Sequence, residues 1–229
     1  MRKSLLASGI IFFFLSFLYI LSIYFSNNLV QMLFKGLIIP SLIIFFIVGR
    51  AKTHYKEDKI IIAALVFSWV GDIFLQIKTG GDMFFLAGLI SFLTTHILYT
   101  IVFFGTTGIF IFQKTKRLLL LIIILYGALT IYTILPGLGN MQIPVTIYGI
   151  VITGMVISAV SRFGKVNDSS YLIVFFGALL FLISDSLIAF NRFKQPFPAA
   201  GLLIMITYIF GQFLIIAGTL KQYSEKLLG

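Results

Sequence analysis

Cysteine is absent from this 229-residue chain, so no disulfide frames it and no thiolate can serve as nucleophile or metal ligand. Charge is scarce as well: 10% of the residues are charged, against roughly 25% in a soluble domain. Too little polar surface is left to cover a soluble core. Soluble catalytic motifs are missing too, with no nucleophile elbow, no Walker loop and no dinucleotide fingerprint. The formal charge of +10 does not point to nucleic acid, because the basic residues sit in short segments between apolar runs.

What the chain has in quantity is hydrocarbon. Hydrophobic residues make up 60% of it, and the mean hydropathy is +1.11. A membrane helix needs about 20 mostly apolar residues. Eight such runs occur, at about 4–24, 29–48, 60–77, 82–105, 117–135, 141–161, 170–190 and 197–220. They are too long and too uniform for strands, whose open edges lipid does not satisfy. Ser26-Asn27-Asn28, Lys78-Thr79-Gly80-Gly81, Pro136-Gly137, Pro196 and Pro198 punctuate them. The longest loops, about 49–59 and 106–116, leave no room for a soluble domain. The expected fold is all-α, a polytopic bundle of eight transmembrane helices forming one transmembrane domain over 1–229.

The first run follows Arg2 and Lys3 but is too long for a signal-peptide core and lacks a small-residue cleavage site before Ser26, so it reads as a retained helix. Orientation follows from Lys and Arg. Arg2, Lys3, Arg50, Lys52, Lys56, Lys59, Lys114, Lys116, Arg117, Arg162, Lys165, Lys221 and Lys226 fall at one set of helix ends. The opposite set carries only Lys78, Arg192 and Lys194. Both termini are therefore expected in the cytoplasm, in a multi-pass protein of the kind found in a bacterial inner membrane.

Of seven acids, two fall inside spans: Asp72 and Asp185. An aspartate at a helix centre costs on the order of 3 kcal/mol on insertion scales, and such residues are functional by default. Lys35, His96, Tyr148, Asn191, Tyr208 and Gln212 are the other polar residues of interest, with Arg192 at the rim. Placed by depth, they suit one cavity open toward the non-cytoplasmic side. Structural readings stand beside these. The two acids can be packing glue, or one a buried ion pair with Lys35. Lys35 can snorkel to the headgroups, and His96 and the tyrosines can bridge helices. Arg192 and Lys194 suit interfacial anchors or a lipid phosphate. A hydrolytic zinc site wants three ligands rich in His; only His96 lies in a span and His54 lies in a loop, so neither metal nor cofactor is expected.

A shift of 113 residues carries Asp72 to Asp185, Lys35 to Tyr148, Phe84 to Phe197, Gly88 to Gly201 and Tyr99 to Gln212. This suggests a 4+4 internal repeat with both halves in the same orientation.

The segment Phe67-Ser68-Trp69-Val70-Gly71-Asp72-Ile73-Phe74-Leu75 is followed by Phe85, Gly88, Phe92, His96 and Tyr99. Later come Pro144 and Tyr148, then Gly177-Ala178-Leu179-Leu180-Phe181-Leu182-Ile183-Ser184-Asp185-Ser186 with Ala189, Asn191, Arg192 and Phe193, and finally Tyr208 and Gln212. In order and setting these residues resemble the YhhN family of lysoplasmalogenase-type membrane proteins, from about Lys35 to Gln212. Gly36 stands where many relatives have proline. The resemblance implies hydrolysis of the vinyl ether bond of a lysoplasmalogen, a single-chain ether phospholipid of the membrane, giving a fatty aldehyde and a glycerophospho-ethanolamine or glycerophospho-choline.

That chemistry suits the residues. Protonating the β-carbon of a vinyl ether gives an oxocarbenium ion; water adds, and the hemiacetal collapses. A carboxyl taken out of water favours its neutral form, so one acid can hold the proton while a second, kept charged by Lys35 or a tyrosine, stabilises the cation. Glycoside hydrolysis uses two carboxyls against a similar cation. Asp185 as acid and Asp72 as partner is one assignment, and the reverse serves equally. Lys35, Arg192 or Lys194 would meet the phosphate. The competing class is transport of lipid or of a small molecule coupled to protons, using the same two aspartates; a non-catalytic lipid-binding scaffold is a third.

Overall fold

The computed structural model describes residues 2–25, 28–50, 55–77, 81–107 and 116–226. Among them all regular structure is helical. The eight α-helices are α1 (Arg2–Tyr24), α2 (Asn28–Gly49), α3 (Glu57–Gln76), α4 (Gly81–Thr107), α5 (Arg117–Ile134), α6 (Gln142–Val160), α7 (Asp168–Phe193) and α8 (Ala200–Lys226). The breaks at Ser26-Asn27 and Lys78–Gly80, most of the 106–116 loop, and Lys52, His54 and Lys114 lie outside the described residues.

Seven of these helices are long and apolar enough to cross a membrane. The exception is α3, whose 20 residues include Glu57, Asp58, Lys59 and Asp72. Its first turn was expected in a loop. The helix instead begins at Glu57 and buries Asp58, which accepts from Arg50 Nη1 at 3.1 Å and from the Tyr55 N–H at 3.3 Å. Large apolar side chains cover the outer faces, among them Leu6, Ile10 and Phe14 on α1 and Leu118, Leu121, Ile122, Leu125 and Leu129 on α5. An exposed apolar surface on this scale needs lipid against it.

The helix ends follow local chemistry. Helix α5 stops at Ile134, and Pro136 opens two 3-10 turns, Leu135–Gly137 and Gly139–Met141, before α6. Gly137 has no substitute there, since a Cβ would lie 1.7 Å from the Phe193 carbonyl oxygen at the end of α7. Asn167 caps α7, its side chain accepting from the N–H groups of Ser169 and Ser170. Helix α8 starts at Ala200, later than the expected 197. Pro196 and Pro198 disfavour helix in the residues before them, and Ala199 reverses the chain at φ 59°.

The chain divides into two compact units. The first holds the residues up to Leu98 together with the end of α8 from Tyr223; the second is Tyr99–Gln222. In the first, α3 and α4 meet closely: a Cβ on Gly71 would strike the Phe92 ring at 2.6 Å, and one on Gly88 the Leu75 side chain at 2.7 Å. Thr95 ties the same seam by donating to the Ala64 carbonyl at 3.0 Å. In the second, α7 and α8 cross backbone to backbone. A Cβ on Gly177 would lie 2.7 Å from the Ile215 nitrogen, and one on Gly211 would lie 3.0 Å from the Phe181 nitrogen. Small residues allow this approach where no hydrophobic force draws helices together.

Candidate active site

Each unit places one of Asp72 and Asp185 beside a polar partner from the preceding even-numbered helix. In the first unit Asp72 of α3 is buried, and Lys35 of α2 brings its ammonium to 3.6 Å from Asp72 Oδ1. The side chains are 11% and 4% exposed, so Lys35 does not snorkel to a wet surface. The ion pair offsets part of the cost of burying each charge. One contact holds the partners in register. The Trp69 indole N–H, three residues before Asp72, donates to the Gly36 carbonyl, next to Lys35, at 2.8 Å. Tyr19 of α1, itself buried, lies within electrostatic range of both charges. Neither Trp69 nor Tyr19 stood out in the sequence as a site residue. Trp69 had the signal of being the lone tryptophan in the segment around Asp72; nothing in its pattern distinguishes Tyr19 from the other tyrosines.

In the second unit the Tyr148 hydroxyl of α6 donates to Asp185 Oδ2 of α7. Tyr148 is buried, and Tyr208 of α8, packed edge-on against Phe181, lies close enough to act on it electrostatically. Asp185 is partly open, and it faces a cleft of about 40 Å³ between α5, α6 and α7. Gly127, Thr130, Tyr148, Leu182 and Ala189 are among the residues lining it, so the carboxyl and its tyrosine are polar points on a mostly apolar wall.

The two pairs share one spacing along the chain. Lys35 and Asp72 are 37 residues apart, as are Tyr148 and Asp185. The 113-residue shift that equates the acids equates their partners, and it also equates Gly36 with Gly149. Tyr99 and Gln212, equated by the same shift, are joined directly, the Tyr99 hydroxyl donating to Gln212 Oε1 at 2.7 Å with both side chains fully buried.

The remaining site residues expected from the sequence are placed as follows. His96 of α4 is fully buried in the first unit. Asn191, in the last turn of α7, accepts from the Phe197 N–H at 3.3 Å and so braces the turn into α8. Arg192 is exposed at the same helix end, where a cation also suits the helix dipole. Sequence reasoning missed Arg162. Counted as a loop residue marking orientation, it is fully buried, donates to Ser170 Oγ and Gln222 Oε1 at 3.0 Å each, and lies over the Phe103 ring. Its position just past α6 gave no hydropathy signal of burial.

Comparison with known proteins places this architecture. Lysoplasmalogenase TMEM86B of Homo sapiens is 34% identical over 164 residues, covering 71% of this chain and 64% of that protein. Lysoplasmalogenase TMEM86B of Sus scrofa is 32% identical over 186 residues, 80% of this chain and 72% of that protein. Lysoplasmalogenase TMEM86A of Bos taurus is 34% identical over 178 residues, 76% of this chain and 70% of that protein. The chain thus spans just under two thirds of the human relative's length. No solved structure matches it. The model of the YhhN family matches residues 30–219, a stretch holding both aspartates and both of their partners, and the chain belongs to the YhhN family.

Proposed function

We propose that this chain is a membrane-embedded hydrolase that cleaves the vinyl ether bond of lysoplasmalogens to a fatty aldehyde and a glycerophospho-ethanolamine or glycerophospho-choline. The observation that carries the proposal is Asp185, held by a buried tyrosine hydroxyl on the wall of an apolar cleft. A proton donor beside a hydrocarbon-lined space is what an enol ether requires. The similar proteins named lysoplasmalogenase support the same substrate class.

The steps follow from the chemistry. Asp185 gives its proton to the β-carbon of the vinyl ether, and the ether oxygen stabilises the resulting cation at the α-carbon. Water adds to that carbon and returns a proton to the carboxylate. The hemiacetal then breaks its C–O bond to release aldehyde and the glycerol hydroxyl. Tyr148 orients the Asp185 carboxyl. Asp72, whose charge Lys35 balances, is the second carboxylate of this reading. His96, Tyr208, Gln212, Asn191 and Arg192 complete the substrate-binding set, with Arg192 suited to a phosphate at the rim.

In the same reading all eight helices span a bacterial inner membrane with both termini cytoplasmic. The Lys and Arg asymmetry supports this orientation, and the repeated acid pair supports a 4+4 internal duplication. That duplication also suits a carrier, so the experiment must separate catalysis from transport. Purified protein in detergent is given lysoplasmenyl-ethanolamine and free aldehyde is measured, beside Asp72→Asn and Asp185→Asn variants checked by thermal melting. Turnover by wild type and its loss in both folded variants supports the hydrolase. A well-folded wild type that releases no aldehyde refutes it and leaves transport, which needs two compartments, as the reading to test.

A further inference from the structure

We infer that the cleft between α5, α6 and α7 is the binding site for the first part of the substrate's aliphatic chain, and that it selects straight over branched chains by its width. The inference rests on the hydrolase reading for the identity of the lipid, and on the cleft itself for its location.

Six of the residues lining the cleft are small: Gly127 and Thr130 on α5, Gly149 and Thr153 on α6, and Ser186 and Ala189 on α7. In a chain with 26 phenylalanines, none lines this cleft. Two of the glycines set how closely two of its helices approach. A Cβ on Gly127 would meet Thr153 at 2.4 Å and one on Gly149 would meet Ile131 at 2.9 Å, so α5 and α6 pack closely along the cleft. Asp185 and Tyr148 stand at its wall, which fixes which part of the lipid lies here: the carbons next to the bond that is protonated.

The occupant follows from continuity with the lipid-facing surface. The cleft is open, and Thr130, Ile131, Gly149, Thr153 and Ala189 of its lining are themselves partly exposed at the surface of the helices. An alkyl chain passes from one apolar environment to the other without exposing methylene groups to water. Size sets the limit. At roughly 10–15 Å³ of cavity for a water-sized group, the cavity volume of about 40 Å³ admits only about three or four methylene-sized groups. The far end of a longer chain therefore lies in bilayer lipid and makes no contact that discriminates length. In so small a volume a methyl branch near the vinyl ether finds no room beside the chain.

Two measurements test this. In the first, kcat/KM is compared for lysoplasmenyl-ethanolamines of increasing chain length and for one branched beside the double bond. The value should rise over the first few carbons and then level off, and the branched lipid should fall by about tenfold or more. Ala189→Leu and Thr130→Leu, which add bulk to the cleft from α7 and α5 and are each checked by thermal melting, should lower kcat/KM on long chains several-fold more than on a substrate whose chain is the vinyl group alone. Equal effects on all chain lengths, or none in either folded variant, would overturn the inference.

In the second, wild type in lipid nanodiscs is photolabelled with lysophospholipids carrying a diazirine at a proximal or a distal chain carbon. The proximal probe should mark peptides containing Thr130, Ile131 or Ala189, and the Leu variants should reduce that labelling. Labelling elsewhere overturns the site whatever the catalytic result. Labelling in the cleft by a protein that releases no aldehyde sinks the hydrolase reading and leaves the chain site standing.

Discussion

Replacing Lys35 by Met tests whether Asp72 sits in a dry ion pair. The charges lie 3.6 Å apart with side chains 11% and 4% exposed. At that separation the gross attraction is about 4–5 kcal/mol for an effective dielectric near 20, and the desolvation of both ions offsets much of it. The single variant removes the attraction but leaves the carboxylate buried. Breaking a buried pair in this way costs about 3–5 kcal/mol. For a chain of this length 1 kcal/mol moves Tm by roughly 2–4 °C, so Lys35→Met should melt roughly 10 °C below wild type. Adding Asp72→Asn removes the stranded charge, and the double variant should recover most of the loss. Melting would be followed by helical circular dichroism in one detergent, with all variants at equal protein concentration. If Lys35→Met melts within about 2 °C of wild type, Lys35 is hydrated and the pair is not the dry contact its geometry implies. If the double variant is no better than the single, the loss comes from packing of the Lys35 stem.

Tyr148→Phe keeps the ring and removes the hydroxyl from Asp185; kcat should fall about tenfold or more, equivalent to about 1.4 kcal/mol, and a kcat equal to wild type would remove Tyr148 from the mechanism. Gly177→Ala should destabilise by about 1–3 kcal/mol through overpacking, because its Cβ meets the α8 backbone, while Gly36→Ala, with nothing within 4 Å, should melt at or slightly above wild type. Equal melting of the two would show that α7 and α8 separate at little cost. Gln222→Leu strips a hydrogen bond from the buried Arg162 and should cost about 1.5–3 kcal/mol, as bonds to charged groups do; an unchanged Tm would mean that Arg162 finds another acceptor.

Seven of the eight expected spans were legible because a membrane helix is a property of about twenty consecutive residues, and hydropathy averages over that length. Their ends were less so. Asp58 reads as a loop acid because hydropathy places charge outside the membrane, yet a partner eight residues earlier, Arg50, makes its burial tolerable. Arg162 escapes notice for the same reason, its acceptors Ser170 and Gln222 lying 8 and 60 residues away. Polar residues in apolar segments carry their own signal, so Asp72, Asp185, Lys35 and Tyr148 were all visible. Which partner each acid takes was open in the sequence, because the pairs join neighbouring helices by contacts that no local period encodes. Once Lys35 is seen against Asp72, the 113-residue shift predicts Tyr148 against Asp185.

The chain contains one tryptophan, and its indole is bound to the Gly36 carbonyl at the α2–α3 seam. Its ultraviolet emission is therefore a built-in gauge of that seam. Because Trp69 belongs to the first unit and the second has no indole, fluorescence follows the opening of one half of the molecule while circular dichroism follows both. Coincident curves would mean a single cooperative transition. An emission change that precedes the loss of helix would mean that the half carrying the ion pair yields first.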